Sequence, residues 1–380
     1  MQKQIRFFSI LIFITILVVA NTLNAQENIK KSSVFKDTLD GAFDISYYLY
    51  NLHGFLPVPT VITEPAVGYG GILAGAFFIA KKEKGDHKFR MPDIIALGGG
   101  YTQNKTWFTG GGYFGFWKDD HIRYRGAGGY VNVNLKYFGN GDGFLNEHPI
   151  DFNIEAYGFV QQAIFRIKET RFLFGGKYIF AKTKVTIFED SDRSWINPKD
   201  INLTNSGLGF IAEYEHFDNI FSPNKGLRSN ISYNQYFTFL GSNRNFGLLN
   251  AYTVYYLPVI EKRWSSGFRI EGQIGTGNLP FYALPFLTLR GIPAMRYQGK
   301  YTALFETEQS IMLNRRWGIV VFAGYGHTFY DNTDGSGAWN TGTGFRYLIA
   351  RLFGLKMGVD IARGPEDWAV YIVFGSSWLK

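Results

Sequence analysis

The chain reads as all-β: a transmembrane antiparallel β-barrel of sixteen strands with one extracellular loop folded inward. Three observations predict it. From Pro57 onward, apolar and polar residues alternate with period two over long segments, the pattern of strands with a different environment on each face. Aromatic residues make up 18% of the 380 residues, yet mean hydropathy is only −0.09, and such interleaving is how a membrane barrel escapes a hydropathy plot. The connections also sort into short turns on one side and longer loops on the other.

The N-terminal segment stands apart. Lys3 and Arg6 precede an apolar run, Phe7 to Ala20, followed by Asn21 to Ala25. This is the layout of a secretory signal peptide, with cleavage expected after Ala25. The apolar run falls short of the about 20 residues a membrane-spanning helix needs. Residues 26–56 are expected to form an N-terminal periplasmic stub, polar at first and then apolar enough through AFDISYYLYNLHGF to dock on something. Fewer than about 40 residues without disulfide or metal seldom fold alone. No separate periplasmic domain is therefore expected ahead of the barrel, 57–380.

Strands are expected near 57–63, 67–80, 91–102, 105–117, 120–138, 151–167, 171–185, 203–217, 226–240, 246–259, 264–278, 301–313, 318–330, 341–350, 354–363 and 367–378. In the last, Trp368, Val370, Ile372, Phe374 and Trp378 share one side. Trp117–His121, Ile167–Arg171, Ile260–Trp264 and Asn314–Gly318 are tight turns on the periplasmic side, where Ala80–Met91 is unusually long. Gly139–Ile150, Thr186–Asn202, Leu279–Lys300 and Asp331–Asn340 are outer loops. Sheet closure would satisfy every backbone polar group, which lipid cannot do.

Composition excludes several functions. With no cysteine there is no disulfide framework, thiolate metal site or cysteine nucleophile. The net charge of +8 is spread along the chain, whereas nucleic-acid binding calls for a clustered stripe. The six histidines are scattered, and no hydrolase, zincin or phosphate-loop motif occurs. Gly139 to Gly143 lacks the acidic ligands of a calcium loop. No enzyme activity, metal or cofactor is expected, and the foremost partner is the lipid bilayer.

One stretch, Pro285 to Asn314, carries the candidate site. Leu289-Arg290-Gly291 lies in the longest loop, and Thr302, Leu304, Glu306, Glu308 and Ser310 then share one face of a strand. Two carboxylates on a lumen-facing strand beside a loop arginine imply a latch: Arg290 and Gly291 against Glu306 and Glu308. Asp360, also inward, is either a further ion partner, for Lys356 or Arg269, or a solvated lumen residue. Asp218, Asn219, Pro223 and Gly226 read as a structural turn.

At this point the residues resemble a family. Phe217-Asp218-Asn219-Ile220-Phe221-Ser222-Pro223-Asn224-Lys225-Gly226, ahead of the ninth strand, resembles the Asp-Asn-x-Phe-x-Pro-x-x-Gly turn of BamA/TamA-type outer-membrane barrels. Leu289-Arg290-Gly291 resembles that family's inward loop signature, and Glu308 matches the glutamate paired with its arginine. Val373 to Trp378 is similar to the terminal aromatic signal for assembly, with Phe374 and Trp378 as its aromatics. The family's aspartate on the thirteenth strand is replaced in Phe322-Ala-Gly324-Tyr-Gly326, leaving Arg290 to Glu308 or Glu306, and the POTRA domains of its core members have no counterpart. The resemblance implies a Gram-negative outer-membrane protein that assists protein or lipid assembly, as an accessory to a BamA-type complex or with a periplasmic partner. The rival reading is a passive pore for small solutes, its lumen opened by inward glycines such as Gly98, Gly110 and Gly342.

Overall fold

A computed structural model describes residues 35–50, 54–79, 81, 92–138, 148–187, 199–331 and 334–378. The expected signal peptide, most of the Ala80–Met91 turn, the Gly139 to Gly143 loop and Leu379–Lys380 lie outside these residues.

A short helix α1 (Ser46–Tyr50) precedes sixteen strands. They are β1 (Gly54–Ile62), β2 (Gly70–Ile79), β3 (Asp93–Thr102), β4 (Trp107–Trp117), β5 (Ile122–Tyr137) and β6 (Ile150–Arg166). Next come β7 (Phe172–Ile187), β8 (Lys199–Phe217), β9 (Gly226–Tyr236), β10 (Phe246–Ile260) and β11 (Trp264–Gly277). The last are β12 (Tyr301–Met312), β13 (Trp317–Phe329), β14 (Asp334–Ala350), β15 (Leu355–Arg363) and β16 (Trp368–Phe374). Each pairs antiparallel with its neighbours in one sheet that runs in sequence order and curls into a nearly closed barrel. Among the described residues no register joins β1 to β16.

Alternation sets the two faces. Leu97, Phe210, Ile270, Phe305 and Tyr325 project outward and are exposed, as side chains facing lipid should be. Thr302, Leu304 and Glu306 of β12, and Val320, Phe322 and Thr328 of β13, turn inward and are buried. Glycine supplies the room inside: a Cβ on Gly342 would lie 2.3 Å from the Phe322 ring.

Several strand ends differ from expectation, and two of the differences bear on the site. β14 begins at Asp334, so most of the expected Asp331–Asn340 loop is strand. Ala338 and Asn340 point inward while Trp339 is exposed, but Gly335, Ser336 and Gly337 hide the apolar alternation. β16 stops at Phe374, because Gly375 takes φ +75° and leads the chain out of the ladder. Trp378 therefore does not share the outward face of Phe374: it is buried inside, 2% exposed.

Candidate functional site

The loop between β11 and β12 folds back into the barrel as a narrow hairpin. Leu287 N donates to Tyr297 O at 3.0 Å and Gly299 N to Pro285 O at 2.9 Å. At its tip, Ile292 N donates to Leu289 O at 3.3 Å, and Gly291 has φ +84°. A positive φ at the third position is the type II turn requirement that glycine meets without strain. Gly291 thus forms the corner, and Arg290 is carried on it. Leu287, Leu289 and Ile292 pack against Leu304 and Ala338 on one wall. Met295 packs against Phe152 and Val185 on the other. Each such buried side chain stabilises the seating by about 1.5–3 kcal/mol.

Arg290 is buried among carboxylates. Its Nε donates to Glu306 Oε1 at 3.0 Å. Its Nη1 donates to Glu308 Oε2 at 2.7 Å and Asp360 Oδ2 at 3.0 Å. The guanidinium carbon lies 3.5 Å from the centroid of the Phe322 ring. Glu306 and Asp360 have 0% exposure, so each needs a full set of partners, since a bare buried carboxylate costs several kcal/mol. Glu306 also accepts from Asn340 Nδ2 at 3.0 Å, Trp378 Nε1 at 2.6 Å and Arg269 Nη1 at 3.4 Å. Arg269 turns its other arm to Glu271 and to Thr288 Oγ1, the latter at 2.6 Å.

The structure thus brings Arg290, Gly291, Glu306 and Glu308 together. It corrects the expectation for Asp360, whose partners are Arg290 and Arg346 rather than Lys356 or Arg269. The cause is space: a Cβ on Gly344, opposite Asp360 in register, would lie 2.1 Å from Asp360 Oδ1. Lys356 instead reaches Asn224 Oδ1 at 3.2 Å. Gly324 leaves room on β13 in a similar way, and Asn340, paired with it across the ladder, fills the room and serves Glu306. Parity flagged Asp360 as inward, while nothing in the sequence marked Asn340, Arg346 or Trp378 as members of the cluster.

The Asp-Asn turn does more than reverse the chain. Asp218 Oδ1 accepts from Asn224 N at 3.0 Å and Lys225 N at 3.1 Å. Gly226 closes the turn, since a Cβ there would lie 2.0 Å from His216 O. Asn219 Oδ1 accepts from Phe221 N and Ser222 N, while its Nδ2 donates to Phe353 O at 2.8 Å. Ser222 Oγ accepts from Lys356 N at 3.1 Å, and Phe221 O from Ser376 N at 2.8 Å. The β8–β9 turn is therefore tied across the barrel mouth to the β14–β15 turn and to the tail bearing Trp378.

On the long-loop side the hairpin is held from both flanks of the gap between β1 and β16. Glu64, after β1, accepts from Ala294 N at 3.1 Å, and burial pushes its carboxyl pKa up. Glu366, before β16, pairs with Arg296 at 3.1 Å. Between hairpin and β16 lies a cavity of about 430 Å³, lined by Glu64, Arg290, Tyr371 and Val373 among others.

Neither a protein-family model nor a curated protein matches this chain. Solved structures do resemble it. The barrel is similar to BamA from Haemophilus ducreyi lacking POTRA domains 1–3, with TM-score 0.60 and 13% identity over 85% of this chain and 70% of that one. It is also similar to CdiB from Escherichia coli (TM-score 0.58, 11% identity, 85% of this chain and 62% of that one). CdiB from Acinetobacter baumannii resembles it too (TM-score 0.56, 11% identity, 84% and 59%). The chain thus spans less than two thirds of either CdiB. At these identities the likeness is one of fold: a sixteen-stranded barrel of the BamA and CdiB kind.

Proposed function

We propose that this barrel sits in the outer membrane of a Gram-negative bacterium and helps insert or assemble proteins or lipids there, in the manner of the BamA/TamA type. The observation that carries the reading is the Arg290-Gly291 tip seated on Glu306 and Glu308 of β12, inside a barrel whose first and last strands share no ladder. Arg290, Gly291, Glu306 and Glu308 act as the latch of the inward loop. Its purpose is to fix the loop, since a buried ion pair is costly to desolvate. The unpaired β1 edge carries Pro57 and Pro59, which remove ladder donors, so an incoming strand could add at the parted seam.

Phe374 and Trp378 serve as an assembly signal before folding, since Trp378 is enclosed afterwards. We assign client collection to a partner protein, with this chain as accessory. The loop reaching from β6 and β7 to β12 and β14 fills the lumen, which speaks against a passive pore. A gentle-detergent pull-down of the tagged protein, read by mass spectrometry, tests the reading. Co-purification of a BamA-type protein with assembly lipoproteins supports it. Isolation alone, with a steady large single-channel conductance and normal outer-membrane composition in a deletion strain, defeats it.

A further inference from the structure

A second arginine lies on the opposite rim, outside the strands themselves. Arg316 belongs to the turn between β12 and β13, and a loop of residues 35–44 wraps three aspartates around it. Its Nε donates to Asp40 Oδ2 at 2.7 Å and its Nη2 to Asp40 Oδ1 at 2.9 Å. Its Nη1 donates to Asp44 Oδ2 at 2.6 Å, and Nη2 also binds Asp37. Arg351, in the β14–β15 turn, grips Asp37 as well, with Nη2 at 3.2 Å from Oδ1. Backbone bonds extend the contact: Ile45 N donates to Ile349 O at 2.8 Å and Leu352 N to Ser46 Oγ at 3.0 Å. Tyr347 Oη donates to Phe43 O at 2.7 Å.

The loop is shaped for this before it docks. Asp37 N donates to Ala42 O and Gly41 N to Asp37 O, each at 2.9 Å, with Gly41 at φ +67°. Phe35 and Phe43 stack with ring centroids 6.1 Å apart.

Chain reach fixes where this segment goes. Ser46 is held at the β14–β15 turn, and β1 begins at Gly54 on the same rim. With Ser46–Tyr50 helical, the eight steps to Gly54 span at most about 20 Å. Going past β15 and β16 to β1 requires crossing about two to three strand spacings, roughly 10–14 Å. The other way round the barrel would take about 60 Å. The two described ends, Ser46 and Gly54, therefore stand on either side of the gap between β16 and β1.

We propose that residues 35–50 are a clasp across the unpaired β1/β16 seam, and that the grip of Asp37, Asp40 and Asp44 on Arg316 and Arg351 limits how far the seam parts. The clasp rests on the seam named in the proposed function, and not on what enters it.

The absence of cysteine makes the test direct. Spin labels on Phe55→Cys, at the start of β1, and Ile372→Cys, on β16, report the gap in the full-length barrel in lipid. A second pair, Ile231→Cys on β9 and Ile270→Cys on β11, reports a paired part of the wall. With the clasp intact the seam pair should give one narrow distance. Arg316→Gln should broaden it and lengthen its mean by at least about one strand spacing, ~5 Å, with the wall pair unchanged. Asp40→Asn, which leaves two aspartates on Arg316, gives a smaller shift of the same sign and serves if Arg316→Gln does not fold. A folded barrel whose seam distance ignores these changes overturns the clasp, whatever the pull-down returns.

Discussion

Two arginines in this barrel are each surrounded by three carboxylates, but the roles of wall and moving part are exchanged. At Arg290 the loop carries the cation, and the rigid strands β12 and β15 supply Glu306, Glu308 and Asp360. At Arg316 the wall carries the cation, and one segment ahead of β1 supplies Asp37, Asp40 and Asp44. Depth differs too. Glu306 and Asp360 see no solvent, whereas the Asp40 side chain keeps 21% of its exposure. Carboxylates fixed in a buried wall cannot leave when their partner is lost, while those on a rim segment can lift off into water. The first arrangement suits a permanent seat and the second a releasable one.

Breaking the deep seat should have the largest effect. Arg290→Ala leaves Glu306, Glu308 and Asp360 facing the vacated space, with Arg269 still on Glu306 and Arg346 still on Asp360. Removing one partner of a buried ionic group costs about 3–5 kcal/mol, read as a lower urea midpoint of the folded barrel. Arg290→Lys restores the charge without the planar fork that reaches Glu306, Glu308 and Asp360 together, so its midpoint should fall between the two. A lysine variant equal to wild type would mean that charge alone seats the loop.

A smaller change probes the same seat from the tail. Trp378→Phe keeps a ring against Tyr256 but removes the N–H that Glu306 Oε2 accepts at 2.6 Å. The loss of one hydrogen bond to a charged group is worth about 1.5–3 kcal/mol. The loss should shrink sharply in a Glu306→Gln background, a coupling that a double-mutant cycle measures. An equal loss in both backgrounds would reduce Trp378 to packing.

How much of this was legible follows from what period two encodes. Each strand separates an apolar outside from a polar inside, so Thr302 to Ser310, or Lys356 to Asp360, declare their face by position alone. The number and order of the sixteen strands and most tight turns follow from the same rule. Where side chains are small the rule falls silent, as at Gly335 to Gly337, and β14 starts earlier than the pattern indicates. Alternation also says nothing about which inward residues meet across the lumen. Asp360 was placed on the correct face and given the wrong partners, because the room made by Gly344 decides the encounter. Trp378 kept the parity of Phe374 on paper, and a single positive φ at Gly375 reversed its environment. The docking of residues 35–50 is legible as apolar character through Phe43 and Ile45, but Asp37 reads as part of a polar lead-in and nothing in the pattern marks Asp40 or Asp44 as ion partners.

The rim cluster should be weakly coupled to barrel stability. In Arg316→Gln the aspartates, though enclosed when docked, regain water by lifting off, so the urea midpoint should stay within about 1 kcal/mol of wild type, the range of pairs whose charges can return to solvent. Local release should be visible all the same: trypsin cleavage after Lys36 should quicken roughly fivefold or more, as expected when a local opening becomes about 1 kcal/mol easier. A large drop in midpoint without faster cleavage would make Arg316 part of the wall and erase the contrast with Arg290.

The gentlest probe is pH, because the rim carboxylates lie outside the membrane-spanning strands. The hydrogen bond from Arg351, aided by the charge of Arg316, holds the Asp37 carboxyl down to about 2, against an ordinary 3.8. Asp40 is lowered by its hydrogen bond to Arg316. For Asp44 burial pulls upward, but bonds from Arg316 and Ser46 prevail and its pKa falls. The released segment therefore takes up protons below about 3.8, while docked Asp37 resists until nearer 2 and docked Asp40 and Asp44 also resist. That difference stabilises docking fully above the higher value and is lost as pH falls toward the lower one. A spin label at Leu39→Cys, an exposed site on the loop, should be equally immobile at pH 7 and pH 5 and gain mobility only below about pH 4. Mobility that rises already between pH 7 and pH 5 would mean that something other than these aspartates holds the segment to the rim.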